Sequence, residues 1–142
     1  MKIHIHSLRY YPSFKPQCRL VADLVSELIK RGNEVTVFTA KNKQSCNSLY
    51  GENIIYINNL GFLSENPLLK TIDYISFYMQ STIKSLLCHF RNGGDIDLYL
   101  SGPGFVSFII MVATKIFKFK TIFWILDRYP DVIFRNRILK GQ

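Results

Sequence analysis

The segment Asp127-Arg128-Tyr129-Pro130-Asp131 closes an apolar run, Ile122 to Leu126, with two acids, a base, an aromatic and a proline. Core packing does not require such an ending, which makes the cluster a candidate for chemistry. A carboxylate such as Asp127 can orient or deprotonate a hydroxyl as a general base. The same carboxylate can instead cap the turn or helix that follows Pro130. Arg128 either holds a phosphate or pairs with Asp127 or Asp131, and Pro130 reads as a turn former.

Three further groups carry chemistry-bearing side chains. Arg9, Lys15 and Arg19 flank a loop near the amino terminus and form either a phosphate-binding patch or ordinary solvated charge. Tyr10 and Tyr11 in that loop either stack on a ring-shaped ligand or pack the loop against the domain. Gly102-Pro103-Gly104 lacks the spacing of a dinucleotide fingerprint, but it frees backbone for a tight strand-to-helix turn, where Gly102 and Gly104 can approach a ligand. His4 and His6 lie two apart on an expected strand and so share a face. No third ligand accompanies them in the sequence, so they read as core or sheet-edge histidines and no metal site is expected.

The elements that must position these residues alternate between strand and helix. Residues 2–7 read as a strand. From Arg19 to Lys30 the apolar positions Leu20, Val21, Leu24, Val25, Leu28 and Ile29 recur at helical spacing, and Gly32 is placed to cap that helix. Glu34 to Thr39 is a β-branched second strand, which completes a β-α-β unit of the kind that builds parallel sheets. A short strand at Ile54–Ile57, a long helix over 67–91 that Pro67 can start, and a strand at Ile96–Leu100 follow. Phe105 to Phe117 reads as a helix apolar nearly all round, and 121–126 as the last strand. The sum is a single α/β domain over residues 1–142, Rossmann-like and doubly wound, with a mostly parallel sheet. In such sheets ligands bind beyond the carboxyl ends of the strands, so residues 8–18, 101–104 and 127–131 are expected along one edge.

Composition sets limits. The chain has 142 residues, 48% of them hydrophobic, enough for a real core and against disorder. Eighteen Lys and Arg against ten Asp and Glu give a formal charge of +8, which favours an anionic partner: a phosphorylated small molecule, an acidic membrane surface or nucleic acid. The positive charge is scattered and no nucleic-acid module is present, so no nucleic-acid partner is expected. Cys18, Cys46 and Cys88 include no C-x-x-C pair, which points away from a disulfide framework or zinc motif and toward a reducing cytosol. The amino terminus does not read as a signal peptide, and no apolar run reaches the roughly 18–20 residues of a membrane span.

"MKIHIHSLRYYPSFKPQCRLVADLVSELIKRGNEVTVFTA" resembles the opening of family 4 glycosyltransferases with the two-domain GT-B fold, with Arg31-Gly32-Asn33-Glu34-Val35-Thr36-Val37 similar to their Arg-Gly-His-Glu-Val-Thr-Val phrase. "DLYLSGPGF" resembles the strand that ends in Ser-x-Pro, and "FWILDRYPDV" the Asp-Leu-Trp-Pro-Asp/Glu segment of members that build bacterial surface polysaccharides. Where many members carry Gly-Gly after the first strand, this chain has Ser13-Phe14-Lys15-Pro16. The resemblance implies the amino-terminal, acceptor-side GT-B domain, with Asp127 facing the acceptor and no cofactor. It implies transfer from a nucleotide sugar to a phosphorylated, lipid-linked or glycan acceptor. The carboxyl-terminal donor-binding domain has no counterpart here, so the nucleotide sugar is expected only with such a domain or a partner subunit, and the chain reads as a truncated enzyme or split subunit inactive by itself. Placement is cytoplasmic, or peripheral at the inner face of the plasma membrane: the apolar 67–91 and 105–117 segments are either buried against the sheet and the rest of a complete enzyme, or dock on the leaflet with the help of nearby lysines and arginines. The alternative is a non-catalytic, membrane-associated binding subunit or a remnant.

Overall fold

The computed structural model describes residues 1–11, 16–41, 48–58, 67–100 and 120–125. In chain order these form β1 (Lys2–His6), α1 (Pro16–Lys30), β2 (Glu34–Ala40), β3 (Asn53–Ile57), α2 (Pro67–Asn92), β4 (Ile96–Leu100) and β5 (Lys120–Trp124). The strands make one sheet in the order β3-β2-β1-β4-β5, and all four neighbouring pairs are parallel. The Rossmann-like α/β architecture expected from the sequence is therefore present. The helix expected over 105–117 lies outside the described residues.

Alternation along the strands decides what each face holds. Ile3 and Ile5, Val35 and Val37, Leu98 and Leu100 point to one side and pack with Val21, Ala22 and Val25 of α1. Each such fully buried aliphatic side chain is worth roughly 1.5–3 kcal/mol relative to exposure. The buried positions of α1, Cys18, Val21, Ala22 and Val25, follow helical spacing. Leu20, counted with the apolar stripe in the sequence, is exposed instead, because one position of helix rotates it about 100° away from Val21. The helix also starts earlier than Arg19, with Pro16 in the first turn, where a missing amide hydrogen costs nothing. It ends as expected at Gly32, whose φ of 78° is left-handed. The Asn33 amide donates to the Leu28 carbonyl and the Gly32 amide to the Ile29 carbonyl, at 3.2 and 2.8 Å, which is a Schellman cap.

The opposite face carries Phe38, Ile57, Phe77, Tyr78 and Tyr99 in its core, and α2 covers it. Here the helix departs from simple amphipathic order. Toward the sheet it turns Phe77 and Tyr78, then Ser81, Thr82, Ser85 and His89, all buried. Ile72, Ile75, Met79, Ile83, Leu87 and Phe90 are exposed on its outer side. Burial against the sheet thus holds for Phe77 and Tyr78, while the outward row is left uncovered by the described residues. Among the described residues no helix is long and apolar enough to cross a membrane.

The carboxyl end of α2 is fastened to the start of β1. Lys2 Nζ donates to the Asn92 carbonyl at 2.6 Å and the Lys2 amide to Asp95 Oδ2 at 2.8 Å, while the Asp95 amide returns a bond to the Lys2 carbonyl at 2.9 Å. Gly93 turns the chain with φ 72°.

Candidate functional site

Strand order reverses between β1 and β4, the switch point at which open α/β sheets leave a crevice beyond the carboxyl ends of the strands. The segment leaving β1 lies at that edge. It first continues the ladder, with the Ser7 amide donating to the Phe38 carbonyl at 3.0 Å and the Ala40 amide to the Leu8 carbonyl at 3.3 Å. Arg9 is exposed and Tyr11 is 41% exposed. Arg19, in the first turns of the helix this segment feeds, is exposed as well. These three candidate binding residues therefore share one end of the sheet. Lys15, Gly102, Gly104, Asp127 and Arg128 lie outside the described residues.

Tyr10 takes the packing role. It is buried in the α1-side core, and its hydroxyl donates to Glu52 Oε1 at 3.1 Å. Glu52 also accepts from the amides of Leu49 and Tyr50, at 3.1 and 2.8 Å, and from the Ser48 hydroxyl at 3.1 Å. Burial alone would raise the Glu52 pKa, but these donors outweigh it and hold the carboxyl below its usual value. Burial, then the Glu52 charge, pushes the Tyr10 phenol up, so it stays a donor. The bond ties the loop after β1 to the turn before β3.

A second constellation lies inside the α2 face. Register sets His4 of β1 beside Asp97 of β4 and His6 beside Tyr99. His89 Nε2 donates to Asp97 Oδ2 at 2.8 Å, and Ser85 donates to Asp97 Oδ1 at 2.8 Å. His4 Nδ1 lies 2.8 Å from the Ser85 hydroxyl and 3.4 Å from Asp97 Oδ1, and His6 Nε2 is 3.4 Å from the same oxygen. All five side chains are buried. The His6 ring is stacked between Phe38 and Tyr99, at centroid separations of 4.9 and 4.1 Å. Burial depresses the His6 pKa against the opposing pull of Asp97. Burial would raise Asp97, but the bonds from His4, His6 and Ser85 prevail and hold it far below the usual carboxylate range.

No third ligand-type residue accompanies His4 and His6 in the local sequence, and the fold supplies His89 and Asp97. One signal was present. Asp97 is a lone acid inside the apolar strand Ile96-Asp97-Leu98-Tyr99-Leu100, and Ser81, Ser85 and His89 recur four apart on one helix face. Beside this cluster a cleft of about 410 Å³ opens between Lys2, His4, Thr36, Cys88, Asn92 and Gly93, at the amino ends of the strands.

No protein-family model matches the chain, and no curated protein matches it. Among solved structures, the glycotransferase of kitacinnamycin is similar, with a TM-score of 0.53 and 16% sequence identity over 87% of this chain. The chain covers 30% of the length of that protein. At that identity the likeness is one of fold: the chain has a glycosyltransferase-like Rossmann domain.

Proposed function

We propose that this chain is the acceptor-side domain of a glycosyltransferase, of the family 4 kind its motifs resemble. The observation that carries the reading is the parallel order β3-β2-β1-β4-β5, which sets the exposed Arg9 and Tyr11 beyond the carboxyl end of β1, at the switch point. Arg19 adds positive charge beside the start of α1, whose first turn holds no acid. A helix start of this kind favours phosphate oxygens.

In this reading a sugar passes from a nucleotide donor to a phosphorylated or lipid-linked acceptor of surface polysaccharide synthesis. The acceptor hydroxyl oxygen bonds to the anomeric carbon, the bond to the nucleotide diphosphate breaks, and the hydroxyl proton leaves to a base. Asp127, soon after β5 in the chain, orients that hydroxyl or takes its proton. Arg9, Lys15, Arg19 and Arg128 meet phosphate, Tyr11 meets the sugar, and Gly102 and Gly104 allow close backbone approach. A carboxyl-terminal donor domain, or a partner subunit, holds the nucleotide sugar.

The test is calorimetry of the purified chain with a polyprenyl-phosphate mimic and, separately, with nucleotide sugars. Binding of the mimic alone, with affinity or heat altered in Asp127→Asn, supports the reading. A folded chain that binds neither ligand sinks it.

The outward row Ile72, Ile75, Met79, Ile83, Leu87 and Phe90 favours a second reading, a membrane-associated binding subunit of the cytoplasmic leaflet. Sedimentation with anionic vesicles but no acceptor binding would favour it over the first.

A further inference from the structure

We infer that His4, His89 and Asp97 form a buried binding site for one divalent transition-metal ion of the zinc class, a structural site in the interface between α2 and the sheet. Each residue offers one ligand atom, and the three atoms lie within 4.8 Å of one another. Two imidazole nitrogens and one carboxylate oxygen are a donor set that zinc takes readily. Ligands about 2.0–2.2 Å from a tetrahedral ion stand roughly 3.3–3.5 Å apart. His4 Nδ1 and Asp97 Oδ1 are already at 3.4 Å. His89 Nε2 faces the other carboxylate oxygen, Oδ2, at 2.8 Å, so an ion reaching all three residues takes both oxygens or turns the carboxylate as the proton on Nε2 leaves.

Charge supplies an independent argument. Among the described residues the ion-pair partners of Asp97 are histidines alone, with no lysine or arginine within reach. Asp97 is 1% exposed. Burying a carboxylate is costly unless hydrogen bonds and a counter-charge offset it, and a divalent cation would add its charge to the hydrogen bonds already made. A metal ion answers both the charge and the convergence of ligands.

The surroundings match a supported site. Ser85 donates to Asp97 Oδ1 and His6 approaches the same oxygen, so outer-shell groups hold the carboxylate in place, while the 2.8 Å contact between Ser85 Oγ and His4 Nδ1 gives way when that nitrogen takes the ion. Gly94 lies so close to His89 that a Cβ there would overlap the ring, and it also borders His4. That backbone fixes the His89 ring from behind. The cleft lined by His4, Cys88, Asn92 and Gly93 gives an access route and room for a water as fourth ligand. The site lies toward the amino ends of the strands, away from the edge assigned to acceptor binding, and the inference does not depend on that assignment.

The experiment is a Co²⁺ and Zn²⁺ titration of the full chain after chelator treatment, followed by visible absorption and thermal unfolding. One equivalent of Co²⁺ giving tetrahedral visible bands, and a rise in Tm of about 5–10 °C with Zn²⁺ at a hundredfold excess over Kd, is the expected result. His4→Asn and His89→Gln present a side-chain amide where Nδ1 and Nε2 now stand. Either should keep the fold and lose the metal-dependent rise. Should both variants fail to fold, the wild-type cobalt spectrum still decides. A folded wild-type chain with no stoichiometric binding overturns the inference and leaves a proton as the cluster's counter-charge. So does a Tm rise that both variants retain, or a cobalt–thiolate band that assigns the ion to Cys88.

Discussion

His89 and Asp97 stand eight residues apart in sequence, one on the last turn of α2 and the other inside β4, and their side chains meet at 2.8 Å. That contact explains why α2 turns polar residues inward. A helix that covers a sheet bearing His4, His6 and Asp97 must match buried donors and acceptors, and Ser85 and His89 do so. Phe77 and Tyr78 still pack inward, but six of its other apolar residues are displaced to the exposed outer side.

Asp97→Asn is expected to destabilise the domain by about 2–4 kcal/mol. The amide that replaces one carboxylate oxygen is itself a donor and faces donors from His89, Ser85 and His6. Urea unfolding of the metal-free chain at neutral pH measures the loss. A change below about 0.5 kcal/mol, the range of an ordinary surface substitution, would contradict the central place given to Asp97.

Adjacent glycines are expected to fail for different reasons. Gly93→Ala meets no atom within 4 Å but must adopt φ 72°, which costs about 1 kcal/mol. Gly94→Ala forces a methyl into the His89 ring and should cost about 1–3 kcal/mol by overpacking. Combining it with His89→Ala should recover most of that second cost, and leave the Gly93→Ala cost unchanged. A double-mutant cycle reads the coupling.

Glu52 gives a pH signature with a definite sign. Its folded-state pKa is held below the ordinary 4.5, so its contribution is present above the unfolded value and is lost as pH falls through the folded one. Glu52→Gln should therefore be less stable than wild type at pH 7, by about 1–2 kcal/mol. The gap should narrow below about pH 4 as wild type is protonated. Denaturant melts at pH 7 and pH 3.5 compare them, and a gap that widens in acid would refute the account.

Local pattern was enough to place β4 at Ile96–Leu100, β2 from Glu34 and the cap at Gly32, because strand alternation, β-branching and glycine's left-handed freedom act within a few residues. It also placed Arg9 and Tyr11 beyond the carboxyl end of β1, since a parallel β-α-β unit leaves no other end for that loop. The cluster around Asp97 was beyond such reasoning. His4 and Asp97 meet only through the pairing of β1 with β4, which are separated in sequence by α1, β2, β3 and α2. Tyr10 illustrates the same limit: whether it stacks on ligand or packs inward is decided by Glu52, 42 positions away.

Arg9 and Arg19 separate binding from stability. Both are exposed, so Arg9→Ala and Arg19→Ala should leave unfolding free energy within about 0.5 kcal/mol of wild type. If they meet acceptor phosphate as proposed, each loses a charge-assisted bond worth about 1.5–3 kcal/mol, a fall in affinity of roughly ten- to a hundredfold. That loss should shrink as salt is raised. Arg31 is the matched control, because it lies just past the far end of α1 and pairs with Glu27 at 3.0 Å. Calorimetry with a polyprenyl-phosphate mimic across the three alanine variants reads the pattern. Equal affinity in all three would remove the β1 loop from the acceptor site, whereas weakening confined to Arg9→Ala and Arg19→Ala would fix the phosphate at the switch-point edge.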